Sequence, residues 1–221
     1  ERALLTMLSA ERIRSELLKL LDAPGAADAV ATMTDYGFLS ALLGRAPRPG
    51  VLRRLIGDDT MEQRAADSLL RLSALAVAVD EDRDHLAARL RLSNAERDDL
   101  VIIDPHLMGL VKLDAADQRR SLYAIGAARW RKMAMAGAAG GVSDEARSAW
   151  RALGALPDRW DIPRYPLRGS DVLALGIAPG PQVGALLAEI EAEWIAEDFA
   201  AGSDELKARL AARAHRYSES R

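Results

Sequence analysis

Leu167–Ile195 reads LRGSDVLALGIAPGPQVGALLAEIEAEWI, a short helix, a tight turn and a longer helix. Gly169 or Ser170 can cap the first helix, Asp171 suits its positive N-terminal end, and Gly176 stands where a left-handed C-cap belongs. Pro179-Gly180-Pro181 forces the turn and puts a proline at the entry of the second helix. Val183, Leu186, Leu187, Ile190 and Trp194 then fall on one apolar face. With Gly180 and Gly184, the start of that helix is bare enough for backbone N–H groups to approach an anion such as a phosphate. The same residues also suit a well-capped hairpin whose glycines only allow close packing.

Outward from this stretch the same helical grammar continues. Ser9 caps a helix running to about Leu21, with Ile13, Leu17, Leu20 and Leu21 as its stripe and Arg12–Glu16 as an i, i+4 pair; Ala23-Pro24-Gly25 ends it. Helical pieces are expected at 26–36 and 38–43, then a Pro/Gly connection at 45–50 and a short piece at 51–56. Gln63–Val79 is apolar on most sides and reads as a central buried helix. Helices follow at 80–92, from the Ser93–Glu96 capping box to about Ile103 before Pro105, at 115–125 and at 127–135. Ser143 caps another to about Leu153, and Ser203 a last one with Leu206, Leu210 and Tyr217 facing inward. No alternation marks a sheet, so the expected fold is all-α and elongated. The expected division is a body over 1–135, a Gly/Ala-rich flexible joint over 136–142, and a tail over 143–221 that contains the hairpin 169–195.

Composition narrows the function. The 221 residues are 49% hydrophobic and only 5% aromatic, the profile of a soluble helical protein, and there is no cysteine, which excludes disulfides and thiolate metal sites and fits a cytoplasmic location. No apolar run spans a bilayer, so no membrane partner is expected. The net charge of −3 conceals a split: residues 119–168 hold ten Lys/Arg against four Asp/Glu, and residues 169–205 hold eight acidic residues and no basic one. A basic centre of this kind offers phosphate contacts, or is simply a solvated face. His85, His106 and His215 lack partners at metal-ligand spacing. Asp58-Asp59 and Asp98-Asp99 hold a metal in principle, but adjacent carboxylates are more often solvated. No phosphate-binding glycine loop, nucleophile elbow or catalytic cysteine is present, so no catalytic or metal residue is assigned.

Leu8-Ser9-Ala10-Glu11-Arg12-Ile13-Arg14-Ser15-Glu16-Leu17-Leu18-Lys19-Leu20-Leu21 resembles the helix that follows the nucleotide pocket in bacterial class II tRNA nucleotidyltransferases, the CCA-adding enzymes, and in the related poly(A) polymerases. Arg168-Gly169-Ser170-Asp171, Gly176, Pro179-Gly180-Pro181, Val183-Gly184 and Leu187 resemble that family's C-terminal region. The resemblance implies that the chain is the helical neck, body and tail of such an enzyme, inactive alone. A catalytic head would precede Glu1 and would use Mg²⁺ with ATP or CTP, while this chain itself would need no cofactor. Ser9, Glu11 and Arg12 would brace the nucleotide pocket. Arg119, Arg120, Arg129, Arg131, Lys132, Arg164 and Arg168, with the amides near Gly180 and Gly184, would hold a tRNA or another RNA while its 3′ end is extended. Trp130 can stack on a nucleotide, although on an Ala-rich helix it suits the core. Two alternatives stay open: a helix-hairpin-helix module for duplex DNA, and a helical scaffold that binds protein through an apolar groove.

Overall fold

The computed structural model describes residues 9–102 and 108–219, and among them every regular element is helical. The chain is all-α, as its periodicity predicts. Leu8, Ile103, Pro105 and His106 lie outside the described residues, as does the Tyr217 side chain. Contacts divide the chain into two compact units, one of residues 1–112 and 127–159, the other of 113–126 and 160–221.

In the first unit, α1 (Ala10–Asp22), α2 (Ala26–Asp35) and α3 (Phe38–Leu43) precede α4 (Pro49–Met61) and α5 (Ser68–Ala76). Ser9 caps α1, its side chain accepting from the Arg12 amide at 3.3 Å, and Leu17 and Leu21 are buried. Glu16 pairs with Lys19 at 3.1 Å rather than with Arg12. The piece expected at 51–56 extends over Pro49–Met61, because Pro49 is preorganised for a first turn. The expected Gln63–Val79 helix is shorter, since the Asp67 carboxylate accepts from the Leu70 amide at 3.0 Å and so starts α5 only at Ser68. Every residue of Leu70–Ala76 is buried, including Arg71 and Ser73. Then come α6 (Asp80–Leu90) and α7 (Asn94–Asp99), whose Ser93–Glu96 capping box forms as expected. α8 (Met108–Lys112) ends this part of the unit.

α10 (Ala127–Gly140) and α11 (Asp144–Gly154) complete the first unit and pack on each other along their lengths. Of the Gly/Ala-rich stretch 136–142 read as a joint, residues 136–140 are the end of α10, and Ala136, Ala138 and Ala139 are buried. The reason is steric: a Cβ at Gly137 would stand 2.3 Å from the Trp150 ring, so glycine here admits an indole rather than loosening the chain. Trp130 is also core, 1% exposed, its ring nitrogen donating to the Leu153 carbonyl at 2.9 Å.

The second unit combines α9 (Ala115–Ile125) with α12 (Gly169–Leu173), α13 (Pro181–Ala196) and α14 (Ser203–Glu219). Leu186, Ile190 and Trp194 of the predicted stripe are buried, with Leu206 and Leu210 beside them. Trp194 meets Tyr123 edge-on at 5.9 Å and Phe199 at 5.0 Å, and donates to the Ala201 carbonyl at 3.0 Å. Tyr165 donates to the Leu187 carbonyl at 3.0 Å.

The buried ion pair of the first unit and the half-buried tyrosine of the second are both open to measurement. Arg71→Met strips one guanidinium from the buried Asp59 carboxylate while Arg64 stays, and is expected to cost about 3 kcal/mol in urea unfolding. Adding Asp59→Asn should recover much of that loss; an unchanged midpoint in the single variant contradicts the packing described. Burial, with the Glu191 carboxylate assisting, pushes the Tyr165 hydroxyl from its ordinary 10.0 up to about 12. A raised pKa contributes stability that is complete below pH 10 and lost as pH climbs through 12. Tyr165→Phe should therefore melt lower at neutral pH, having lost its hydrogen bond, and gain on the unsubstituted chain across that alkaline window. Parallel melting curves at all pH values would refute it.

Candidate functional site

The residues expected at a nucleotide pocket sit at the start of α1. Ser9 spends its hydroxyl on the helix cap. Glu11 pairs with Arg91 at 3.1 Å, and its carboxyl is held below the usual range by a backbone hydrogen bond first and by Arg91 after that. Arg12 is exposed and has no ion-pair partner among the described residues. Sequence reasoning missed the neighbours that fix this helix. Arg14 donates to the Arg91 carbonyl at 2.8 Å and to Glu96 at 3.3 Å, and Arg91 itself holds a left-handed φ of 51° after α6. Partners so distant along the chain leave no local spacing signal.

The basic centre is not one array of free cations. Arg119 grips Asp198 through two nitrogens, one of them at 3.0 Å, and lowers that carboxyl's pKa. Arg120 donates to the carbonyls of Ile195 and Ala196 at 3.0 and 2.8 Å, closing the C-terminal end of α13 where a positive charge is favoured. Both arginines act inside the second unit. In the first unit Arg129 donates to the Asp98 carbonyl, Arg131 to Asp158 at 2.6 Å, and Lys132 to Asp99 and Asp67 at 2.5 and 3.0 Å. The carboxylates weighed as metal ligands face cations instead: Asp59 holds Arg64 and Arg71, and Asp58 holds Arg151.

Arg164 and Arg168 differ. Both are exposed, and neither guanidinium has an ion-pair partner among the described residues. They lead into α12, where the cap is Arg168 rather than Gly169 or Ser170, because the Asp171 carboxylate turns back to accept from the Arg168 amide at 2.6 Å. Gly176 adopts φ 83°, as a left-handed turn residue should. Gly180 precedes α13 with extended backbone, Pro181 is the first helical residue, and no side chain caps the helix. Gly184 faces open space, and Gln182 donates to the Ala178 carbonyl at 2.8 Å across the turn. Leu173 and Leu175 beside it remain 43% and 41% exposed.

This arrangement supports an exposed backbone in the hairpin with two available guanidiniums just before it, and a braced but accessible first helix in the other unit. Such groups suit phosphate contacts. No group of three or more metal-ligating side chains occurs among the described residues, and no helix there is long and apolar enough to cross a membrane.

Comparison with known proteins bears on the N-terminal helices. Residues 1–49 match the family model described as "Probable RNA and SrmB- binding site of polymerase A". The mitochondrial CCA tRNA nucleotidyltransferase 1 of Danio rerio is 36% identical over 52 residues, which are 24% of this chain and 12% of the relative. Its Homo sapiens counterpart is 35% identical over 48 residues, 22% of this chain and 11% of the relative. The chain thus covers about an eighth of the length of the curated relatives it matches. Together these similarities support an RNA-binding region of the poly(A) polymerase and CCA-adding type at the N-terminal end of the chain.

Proposed function

We propose that this chain is the RNA-holding helical part of a template-independent nucleotidyltransferase, keeping a tRNA or similar RNA in place while a separate catalytic head adds nucleotides to the 3′ end. The observation that carries the reading is the match of residues 1–49 to a polymerase RNA-binding region, most of which is α1 to α3. The head would supply Mg²⁺ and the ATP or CTP chemistry. The role of this chain would be to position the RNA backbone. Phosphate contacts carry no sequence information, which suits an enzyme that accepts many RNAs.

Within this reading the available cations, Arg12, Arg164 and Arg168, are better placed for phosphate than Arg119, Arg120, Arg129 and Lys132, whose side chains already serve the fold. The test is a titration of tRNA at several salt concentrations. Replacing Arg164 and Arg168 together should weaken binding similarly for every tRNA and lower the salt slope by roughly one unit for each phosphate no longer neutralised. Replacing Arg129 and Lys132 together should lower the unfolding midpoint more than the slope. If neither set changes affinity or slope in folded protein, the basic residues are a solvated face; tighter binding of duplex DNA than of RNA would favour the helix-hairpin-helix alternative. Incubation with tRNA, ATP, CTP and Mg²⁺ is expected to leave the 3′ end unextended, and extension by this chain alone would place the active site within it.

A further inference from the structure

The close approach of α10 and α11 shapes a cleft within the first unit. Gly137 lies against the Trp150 ring, and a Cβ on Gly154 would stand 3.0 Å from that of Ala134, so the two helices leave little room between them. At the end of α11 the chain turns through Ala155 to Asp158, and α4 supplies Asp58, with Glu62 just after it, opposite. The result is a cavity of about 280 Å³. Met135, Gly154 and Ala155 give it a half-buried apolar wall backed by buried Trp150.

Its rim carries a less common feature. Arg131 and Arg151 are 45% and 49% exposed, and each spends a single nitrogen, Nη2, on its carboxylate: Asp158 at 2.6 Å and Asp58 at 2.8 Å. Nε and Nη1 of both guanidiniums take no part in those contacts. The Arg131–Asp158 pair is exposed on both sides and so is weak, Arg151 keeps its outer nitrogens in solvent beyond Asp58, and a planar guanidinium fork matches a phosphate in two-point geometry. Asp58, which holds Arg151, and Glu62, which holds Arg64, keep further lone pairs that can accept from the exocyclic amine of a base. An apolar wall under a rim of paired guanidiniums and carboxylates, Arg131 with Asp158, Arg151 with Asp58 and Arg64 with Glu62, offers a base a surface and its phosphate and exocyclic groups polar contacts.

We propose that this cleft binds a single nucleotide, its base against Met135, Gly154 and Ala155 and its phosphate against Arg131 and Arg151. The ligand is a nucleoside monophosphate unit, either free or carried within an RNA chain. The identification as nucleotide deepens the RNA-holding reading and rests on it; the cleft itself is separate from Arg164, Arg168 and the hairpin.

The test is calorimetric titration of the chain with AMP, CMP and, as a control without base, ribose 5-phosphate. At least one mononucleotide should bind, with ribose 5-phosphate about ten-fold weaker or worse. Arg131→Gln with Arg151→Gln should weaken the mononucleotide about ten-fold or more, and Ala155→Leu, which fills the wall, should do the same while both guanidiniums remain. Circular dichroism melts establish that the variants are folded. Photo-crosslinking of a thio-substituted RNA then separates the sources: adducts on peptides from 131–138 or 150–158 assign the site to RNA, and mononucleotide binding without such adducts assigns it to a free nucleotide. Absence of mononucleotide binding together with absence of those adducts overturns the proposal, as does nucleotide binding indifferent to both substitutions. RNA binding abolished by replacing Arg164 and Arg168 while the cleft stays silent would overturn the cleft and leave the RNA-holding reading standing.

Discussion

Asp59 is 4% exposed and divides its two carboxylate oxygens between two guanidiniums, Arg64 on one and Arg71 on the other. Arg71, itself 6% exposed, sends its remaining nitrogen to the Leu21 carbonyl at 2.8 Å. One buried ionic group therefore joins the end of α1, the end of α4 and the start of α5. A buried carboxylate with no cation would be strongly unfavourable, and a buried helix C-terminus leaves carbonyls that need donors. Each problem answers the other only if the three helix ends meet as they do. The specificity of the first unit rests on this, because apolar faces alone would tolerate several arrangements of α1 on α5.

The second unit reaches its order by a different means. An aromatic cluster around Trp194 supplies contact area, and Asp198 and Phe199 both take positive φ to deliver Phe199 into it. Two consecutive non-glycine residues in that region are strained, by roughly 1–2 kcal/mol each. Arg119 on Asp198 and Arg120 on the last carbonyls of α13 hold the strained turn in place. Residues that suggest a polyanion surface by composition are here the clamps of a loop.

The sequence announces the helices because their signals are local. Ser9, the Ser93–Glu96 box and Ser143 act within four residues of themselves and cap as their chemistry predicts, and Gly176 takes the left-handed φ expected of it two residues beyond the Ala174 C-cap. What stays hidden is tertiary. Gly137 and its alanines have the composition of a flexible joint, and only the Trp150 ring makes them an interhelical contact. The partners of Arg131, Arg151 and Arg119 lie 27, 93 and 79 residues away, beyond any helical spacing rule. One signal is there to be read: Arg71 is the one charge in a helix that is otherwise uncharged and largely apolar, and a charge in such a place requires a buried counterion. Asp58-Asp59 is the visible candidate, and it suggests a metal when its partners are in fact arginines.

Functionally, the N-terminal helices carry the similarity to a polymerase RNA-binding region, and the tail hairpin has an uncapped helix start and is preceded by the exposed Arg164 and Arg168. The central claim is that both contact the same class of ligand. Amide hydrogen exchange with and without a saturating tRNA tests it most directly, because it reads backbone protection along the whole chain without any substitution. The account predicts protection in peptides covering residues 10–43 and 164–184. Protection confined to other segments, or none at either, would contradict it.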